Sequence, residues 1–154
     1  MIIGTRSAAL AVTLVGLAAG AALAHGGATG IVKERMDAMT DISRNVKSVG
    51  QMLKGTAVYN PEEIKRAANA ISGHAGDAMT ELFPEGSLKS PSEASPTIWE
   101  EWPEFVTFAD SLETSARALE DLAAQDADQK SVAAAFGKVA ATCKTCHEAF
   151  RIKK

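Results

Sequence analysis

The sequence predicts an all-α fold, an antiparallel four-helix bundle. Four long segments repeat apolar residues every three to four positions, and none alternates with the period of two that a strand requires. Three breaks separate them, and two of these are short enough to join antiparallel neighbours. The chain has 154 residues but only eight aromatic ones. Aliphatic side chains and a large cofactor are therefore expected to fill the core of a single domain.

The first helix is predicted from Ile31 to Lys54, because Gly55 provides a C-terminal stop signal. Two residues stand out on its inner face. Arg35 puts a charge where the bundle should be dry, and Met39 adds a thioether one turn later on the same face. A buried arginine is costly unless it is paired, and the alternative is that Arg35 extends to solvent at the bundle end. The apolar members of this stripe follow heptad spacing: Val32, Ile42, Val46, Val49 and Leu53.

The second helix is predicted to begin with Asn60 as its N-cap and Pro61 at its first position. Its apolar face continues to Leu82, with Ile64, Ala68, Ile71, Ala75 and Met79 before it. The residues from Phe83 to Ser95 contain two prolines, a glycine and several serines, and are therefore predicted to be a long crossover connection.

The third helix is predicted to start at Ser95 and Pro96, and Pro103 should kink it or end a short lead-in near Trp102. Packing of one tryptophan, Trp99 or Trp102, against a cofactor is consistent with this position. The fourth helix is predicted from Gln129 to Arg151, with Val132, Phe136, Val139, Cys143, Cys146 and Phe150 on its apolar side.

Residues 1–24 have the features of a cleaved secretory signal peptide. Arg6 precedes an apolar run, and Ala22-Leu23-Ala24 is an A-x-A cleavage site, which predicts a mature domain of residues 25–154. A membrane anchor is the alternative, but the run is rich in Ala and Gly and a polar Gly/Ala/Thr segment follows it. No second apolar run of spanning length follows, so we expect an exported, periplasmic bacterial protein without a membrane span.

The charge balance disfavours nucleic acid or an anionic membrane as the main partner. Since Arg6 is the only charged residue of the signal, the predicted mature chain keeps 15 basic and 19 acidic residues, a net charge of −4. Binding to phosphate-rich surfaces depends on an excess of Lys and Arg, which is missing here.

The only two cysteines lie in the run Cys143-Lys144-Thr145-Cys146-His147, the C-x-x-C-H signature of covalent haem attachment. Positions i, i+3 and i+4 share one helix face, so both thiols and the imidazole can reach one macrocycle. Two thiols form thioethers with the haem vinyl groups, and the histidine is an iron ligand. A disulfide, a zinc site that recruits the distant His74, and an inert chance match are the alternatives.

The chain resembles the class II c-type cytochromes, namely cytochrome c′ and its low-spin relatives of the cytochrome c-556 type. The resemblance spans the mature chain. It rests on Arg35 followed by Met39, the C-terminal haem motif up to Arg151, and three further segments: Met52-Leu53-Lys54-Gly55, Leu82-Phe83-Pro84-Glu85-Gly86-Ser87 and Pro96-Thr97-Ile98-Trp99-Glu100.

This resemblance implies one covalent haem c inside the bundle, held by Cys143 and Cys146 with His147 as axial ligand. It also implies that Arg35 lies near a haem propionate, that Met39 faces the distal side of the iron, and that the protein can form a homodimer. If Met39 ligates the iron, the centre suits electron transfer between redox partner proteins, a carrier rather than an enzyme.

If Met39 only packs over the iron, a five-coordinate centre binds nitric oxide or carbon monoxide. Ligation is the outcome we expect, because a thioether is a common haem ligand in c-type centres. A haem-free helical protein that acts as a binding partner or metal buffer is the third functional class.

Overall fold

The computed structural model describes residues 27–152. The predicted signal peptide lies outside these residues. Four long helices form the bundle, namely α1 (Gly30–Leu53), α2 (Pro61–Gly73), α5 (Trp102–Ala124) and α6 (Gln129–Phe150). Two short helices, α3 (Asp77–Thr80) and α4 (Thr97–Glu100), lie in the connection between α2 and α5. Within residues 27–152, no helix is both long and apolar enough to cross a bilayer.

Helix α1 confirms the predicted heptad stripe. Its observed bounds differ from the predicted ones by one residue at each end, and Lys54 caps it before Gly55 turns at a φ of +73°. Arg35 is only 4% exposed, so the alternative in which it extends to solvent is excluded. The apolar stripe packs into the core, whose largest fully buried side chains are Val49, Ile64, Ile71, Ile98, Leu119, Val132 and Val139.

The second predicted helix is broken, and this corrects the sequence prediction. Helix α2 begins as expected, with the Asn60 side chain accepting a hydrogen bond from the Glu63 amide at 3.2 Å. It ends at Gly73, and Gly76 adopts a φ of +56°. The Gly76 amide donates to the Ala109 carbonyl at 3.0 Å, and this tertiary hydrogen bond replaces the helical one. The chain restarts as α3, so Met79 is still buried as the periodicity predicted.

Prolines set the start of the next segment as predicted. The short helix α4 precedes α5, and Pro103 occupies the first turn of α5, where its missing amide hydrogen costs little. The start of α6 is fixed by Asp128, whose carboxylate accepts hydrogen bonds from the Lys130 and Ser131 amides at 3.0 and 3.1 Å. Helix α6 ends at Phe150, one residue before the predicted end.

The helix packing leaves space on one side of the bundle. Helix α2 packs along α5, α5 packs along α6, and α1 packs along α2, whereas α1 and α6 touch at few positions. The sparse contact between α1 and α6 opens a cavity lined by the stripe of α1 that carries Arg35 and Met39 and by the last turns of α6.

Candidate haem site

The gap between α1 and α6 is a cavity of about 740 Å³. Sites for small molecules and cofactors commonly occupy roughly 300–1,000 Å³ and are mainly apolar with a few polar groups. Helix α5 and the connection before it close the sides of the cavity. Its apolar lining includes Ile42, Val46, Met79, Ile98, Phe105, Phe108, Leu112 and Phe150.

Cys143, Cys146 and His147 all line this cavity, as the spacing on one helix face predicted. Both cysteines are partly buried free thiols. The structure therefore contains no Cys143–Cys146 disulfide. Among residues 27–152, no group of three or more His, Cys, Asp or Glu side chains could hold a metal ion, so the zinc alternative has no support.

The protonation states of these groups follow from their surroundings. Burial raises the pKa of the Cys143 thiol, and burial together with Cys143 raises the pKa of Cys146 to about 11. Both groups are therefore neutral thiols near pH 7. His147 keeps exposed surface at the cavity rim, yet burial of its ring and the charge of Arg151 lower its pKa. A neutral imidazole is the form that ligates iron.

Arg35 lines the cavity and is held by a dense set of hydrogen bonds. Its Nε and Nη2 donate to the Leu82 carbonyl at 3.0 and 2.6 Å. Nη2 also donates to Ser87 Oγ at 2.7 Å, and Nη1 donates to Ser92 Oγ at 3.1 Å. The guanidinium carbon lies 4.0 Å from the centroid of the Phe83 ring, within cation–π range. These contacts fix the guanidinium in one orientation.

Arg35 lacks a carboxylate partner among the described residues. Desolvation by burial lowers the pKa of Arg35, so keeping its guanidinium charged inside the protein costs free energy. One N–H of Nη1 also has no acceptor within residues 27–152. A carboxylate that enters the cavity with a ligand would offset both deficits. The cavity shape, the paired thiols, the imidazole and this uncompensated cation together fit a haem with its propionates.

Three methionines, Met36, Met39 and Met79, line the cavity. Met39 is partly buried and packs against the hydrophobic core, as its place in the heptad stripe predicted. Met36 lines the cavity without belonging to that packed cluster. Met79, from α3, is buried and also reaches the cavity lining. Each carries a thioether, the sulfur group that ligates haem iron in many c-type centres.

A short strap, residues 91–95, closes one side of the cavity by pairing with the end of α6. The Ser95 amide donates to the Phe150 carbonyl and the Ile152 amide donates to the Glu93 carbonyl, both at 2.8 Å. Arg151 Nε and Nη2 also bind the Glu93 carboxylate at 2.9 and 2.5 Å. The strap therefore ties the connection to the helix that carries the cysteines.

Other residues singled out in the sequence lie away from the cavity lining. Neither Trp99 nor Trp102 lines it, so the expectation that one of them packs against the cofactor is not supported. His74 caps α2, and its Nε2 lies 3.1 Å from Asp41 Oδ2, where it links α2 to α1.

Sequence reasoning missed the two serines that bind Arg35. Ser87 and Ser92 lie in a connection that reads only as helix breakers, and they are 52 and 57 residues from Arg35. The turn that ends in Ser87 is one of the segments on which the family resemblance rests, and it is the one sequence feature that points to this part of the connection. The periodicity of the sequence does not indicate which side chains of this connection face the Arg35 guanidinium.

The whole helical region matches known proteins. A family profile described as cytochrome c′ matches residues 30–151. Cytochrome c-556 from Agrobacterium tumefaciens (strain II Chrys) is 35% identical over 125 residues, which cover 81% of this chain and 99% of the relative.

Solved structures of similar proteins have the same fold. Cytochrome c′ from Rhodopseudomonas palustris superposes with a TM-score of 0.75 at 28% identity, covering 82% of this chain and 99% of the other. The nitric oxide complex of a cytochrome c′ variant from Alcaligenes xylosoxidans gives a TM-score of 0.71 at 28% identity, covering 80% and 94%. The residues matched by the family profile include both the end of α6 and the Arg35 region of α1.

Proposed function

Since this chain belongs to the cytochrome c′ family, whose cofactor is a single covalent haem c, we propose that it is an electron carrier and not an enzyme. One observation carries the proposal: two thiols, an imidazole, an uncompensated arginine and a thioether line the same apolar cavity. The haem supplies an iron centre that changes its oxidation state by one electron. Each surrounding residue then has a role that its position supports.

Cys143 and Cys146 anchor the haem covalently, and His147 provides the axial nitrogen from the same helix face. The neutral state of His147 suits ligation, since no proton has to leave the imidazole first. Arg35 pairs with a propionate while Ser87, Ser92 and the Leu82 carbonyl hold its guanidinium in place. Staining for haem after denaturing electrophoresis tests the anchor, because thioether bonds survive denaturation. Colourless protein with the apoprotein mass would refute it.

We propose Met39 as the sixth ligand. Its side chain combines a place in the cavity lining with packing against the core, which limits its movement. Met36 lacks that packing, so it is the weaker candidate on the same helix. Coordination by Met and His raises the reduction potential and leaves no open iron position, which suits outer-sphere electron transfer. The decisive measurement is the optical and spin-resonance spectrum of the ferric protein, which we expect to be low-spin.

The second candidate function is gas binding at a five-coordinate iron. The observation that favours it is the nitric oxide complex formed by a variant of the similar cytochrome c′ from Alcaligenes xylosoxidans. In this alternative Met39 only packs over the iron, and nitric oxide or carbon monoxide occupies the distal side. A high-spin ferric spectrum with ready carbon monoxide uptake would establish this alternative and refute ligation by Met39.

The proposed compartment is the bacterial periplasm, and the proposed partners are redox proteins. Residues 1–24 carry the export signal in the sequence, and fractionation of cells that express the full chain tests the location. The homodimer implied by the family resemblance stays a prediction, which sedimentation of the haem-loaded protein tests.

A further inference from the structure

A second groove, of about 490 Å³, lies beside the haem cavity. It is formed by the end of α3, the turn that follows, α4 and the start of α5. Two tryptophans, a proline and a phenylalanine provide its apolar surface, and two glutamates lie at its edge: Trp99, Trp102, Pro84, Phe83, Glu81 and Glu85. The proposed electron carrier does not by itself require this groove.

The aromatic walls of the groove are held in place. The Trp99 indole Nε1 donates to the Phe83 carbonyl at 3.0 Å, which fixes the Trp99 ring. The Trp102 and Phe105 ring centroids lie 5.5 Å apart, so Trp102 rests on a buried aromatic side chain. Tryptophans often dominate the binding energy of protein interfaces. A tryptophan that is already rigid loses little entropy when a partner binds.

The charge around the groove is mainly negative. Residues 77–104 contain seven acidic side chains and a single basic one, Lys89. Five of these acids are exposed and form no ion pair within residues 27–152, in contrast to Glu113 and Arg117 on α5, which bind each other. A position near a helix N-terminus stabilises Glu101 and Glu104, but that effect does not explain the acids that lie at the groove edge. The five are Glu81, Glu85, Glu100, Glu101 and Glu104.

Phe83 belongs to both the groove and the haem cavity. Its ring stacks under the Arg35 guanidinium on the cavity side and packs edge-on against Phe105 at a centroid distance of 4.8 Å. A molecule seated in the groove is therefore separated from the cavity by a single side chain. Electron exchange benefits from such a short path through packed atoms.

We propose that this groove is the docking surface for a redox partner protein that presents lysine or arginine side chains. The proposal rests on the proposed electron-carrier function and names the face through which it operates. Cationic side chains are attracted by the glutamates and stack on the tryptophan faces. The unpaired acidic charge around the groove steers the partner towards it and increases the rate of association.

An octalysine peptide is a suitable probe of this surface in the haem-loaded, reduced protein. Since Trp99 and Trp102 are the only tryptophans of the chain, their two indole N–H resonances report on the groove directly. We expect both resonances to shift on titration. The double variant Glu81→Gln with Glu85→Gln should bind octalysine roughly fivefold more weakly, as expected for two exposed charge contacts. The matched control, Asp121→Asn with Asp126→Asn, changes the net charge equally at the other end of α5 and should bind like the wild type.

Equal losses of affinity in the two double variants would overturn the proposal, because the attraction would then depend only on net charge. Binding that leaves both indole resonances unmoved would also overturn it. Reduction of the haem-loaded protein by dithionite and reoxidation by ferricyanide tests the carrier function separately. If the protein completes this cycle but the two double variants bind octalysine with equal affinity, only the docking surface is refuted. If the protein cannot complete the cycle, the carrier function is refuted.

Discussion

The Arg35 guanidinium lies over the Phe83 ring at 4.0 Å, and Phe83 separates the haem cavity from the acidic groove. This pair joins a buried positive charge of α1 to the connection before α5. The positive charge has no carboxylate partner among the described residues. It is therefore available to interact electrostatically with a charged group that enters the cavity.

Replacement of Arg35 by Gln should lower the reduction potential of the haem. A fixed positive charge stabilises the reduced iron, which carries one charge less, so its removal favours the oxidised form. The expected shift is on the order of tens of millivolts, and spectroelectrochemical titration measures it. Arg35→Lys keeps the charge and should shift the potential less. A rise of potential in Arg35→Gln would contradict a role beside a propionate.

Removal of the Arg35 partners should destabilise the fold. In Ser87→Ala or Ser92→Ala, a buried N–H of a charged group loses its acceptor, at a cost of about 1.5–3 kcal/mol in the free energy of unfolding. Urea denaturation of the haem-loaded variants measures this cost. Thr114→Ala is the control, because Thr114 is exposed on α5, and it should stay within about 0.5 kcal/mol of the wild type. Serine variants that match this control would show that these hydrogen bonds contribute little.

Met39→Ala should open one side of the iron. If the thioether is a ligand, its loss changes the ferric spectrum from low-spin to high-spin and allows carbon monoxide to bind the reduced protein. Met36→Ala provides the comparison on the same helix and should leave the spectrum unchanged. A spectrum unchanged by Met39→Ala would exclude ligation, and a change confined to Met36→Ala would transfer the ligand role to that residue.

A side chain at Gly76 should destabilise the fold. Its φ of +56° is strained for any residue with a Cβ, and that Cβ would lie only 2.1 Å from Glu113 Oε2. Glu113 can swing away, so the backbone strain dominates, and Gly76→Ala should cost about 1–3 kcal/mol. At Gly73, the last residue of α2, a Cβ meets nothing within 4 Å. Gly73→Ala should therefore be neutral or stabilise the protein by up to about 1 kcal/mol. Thermal unfolding of both variants checks the difference, and equal effects would contradict it.

The cysteines of the apoprotein should react slowly below pH 9. A thiolate is the reactive form, and a pKa of about 11 for Cys146 leaves little of it at pH 8. Alkylation by iodoacetamide should be on the order of a hundredfold slower in the folded apoprotein than in urea, and should accelerate as the pH rises towards 11. Mass spectrometry of timed samples measures both rates. Equal rates at pH 8 would show that the thiols are not buried before haem attachment.

Local patterns in the sequence predicted much of the fold and the covalent part of the site. The heptad spacing of α1, the Asn60 cap and the proline in the first turn of α5 depend only on residues a few positions apart. They can therefore be predicted directly from the sequence. The spacing of Cys143, Cys146 and His147 is likewise a property of one helix. These features required no knowledge of how distant segments pack.

What the sequence could not supply depends on contacts between distant segments. The break of α2 at Gly76 is stabilised by the Ala109 carbonyl, 33 positions away along the chain. The acceptors around Arg35 come from a connection whose composition indicates only that it is not helical. The groove beside Phe83 is lined by residues of α3, α4 and the start of α5, and neither short helix was predicted with its observed bounds.

The strap between Glu93 and Ile152 has a practical consequence for protein production. Because the Ile152 amide is hydrogen-bonded to Glu93, a purification tag fused after Lys154 would begin two residues beyond a wall of the cofactor pocket. Such a fusion risks loosening that wall and altering the colour of the product. Tags are better inserted behind the predicted export signal, ahead of Gly30, where they leave the wall intact.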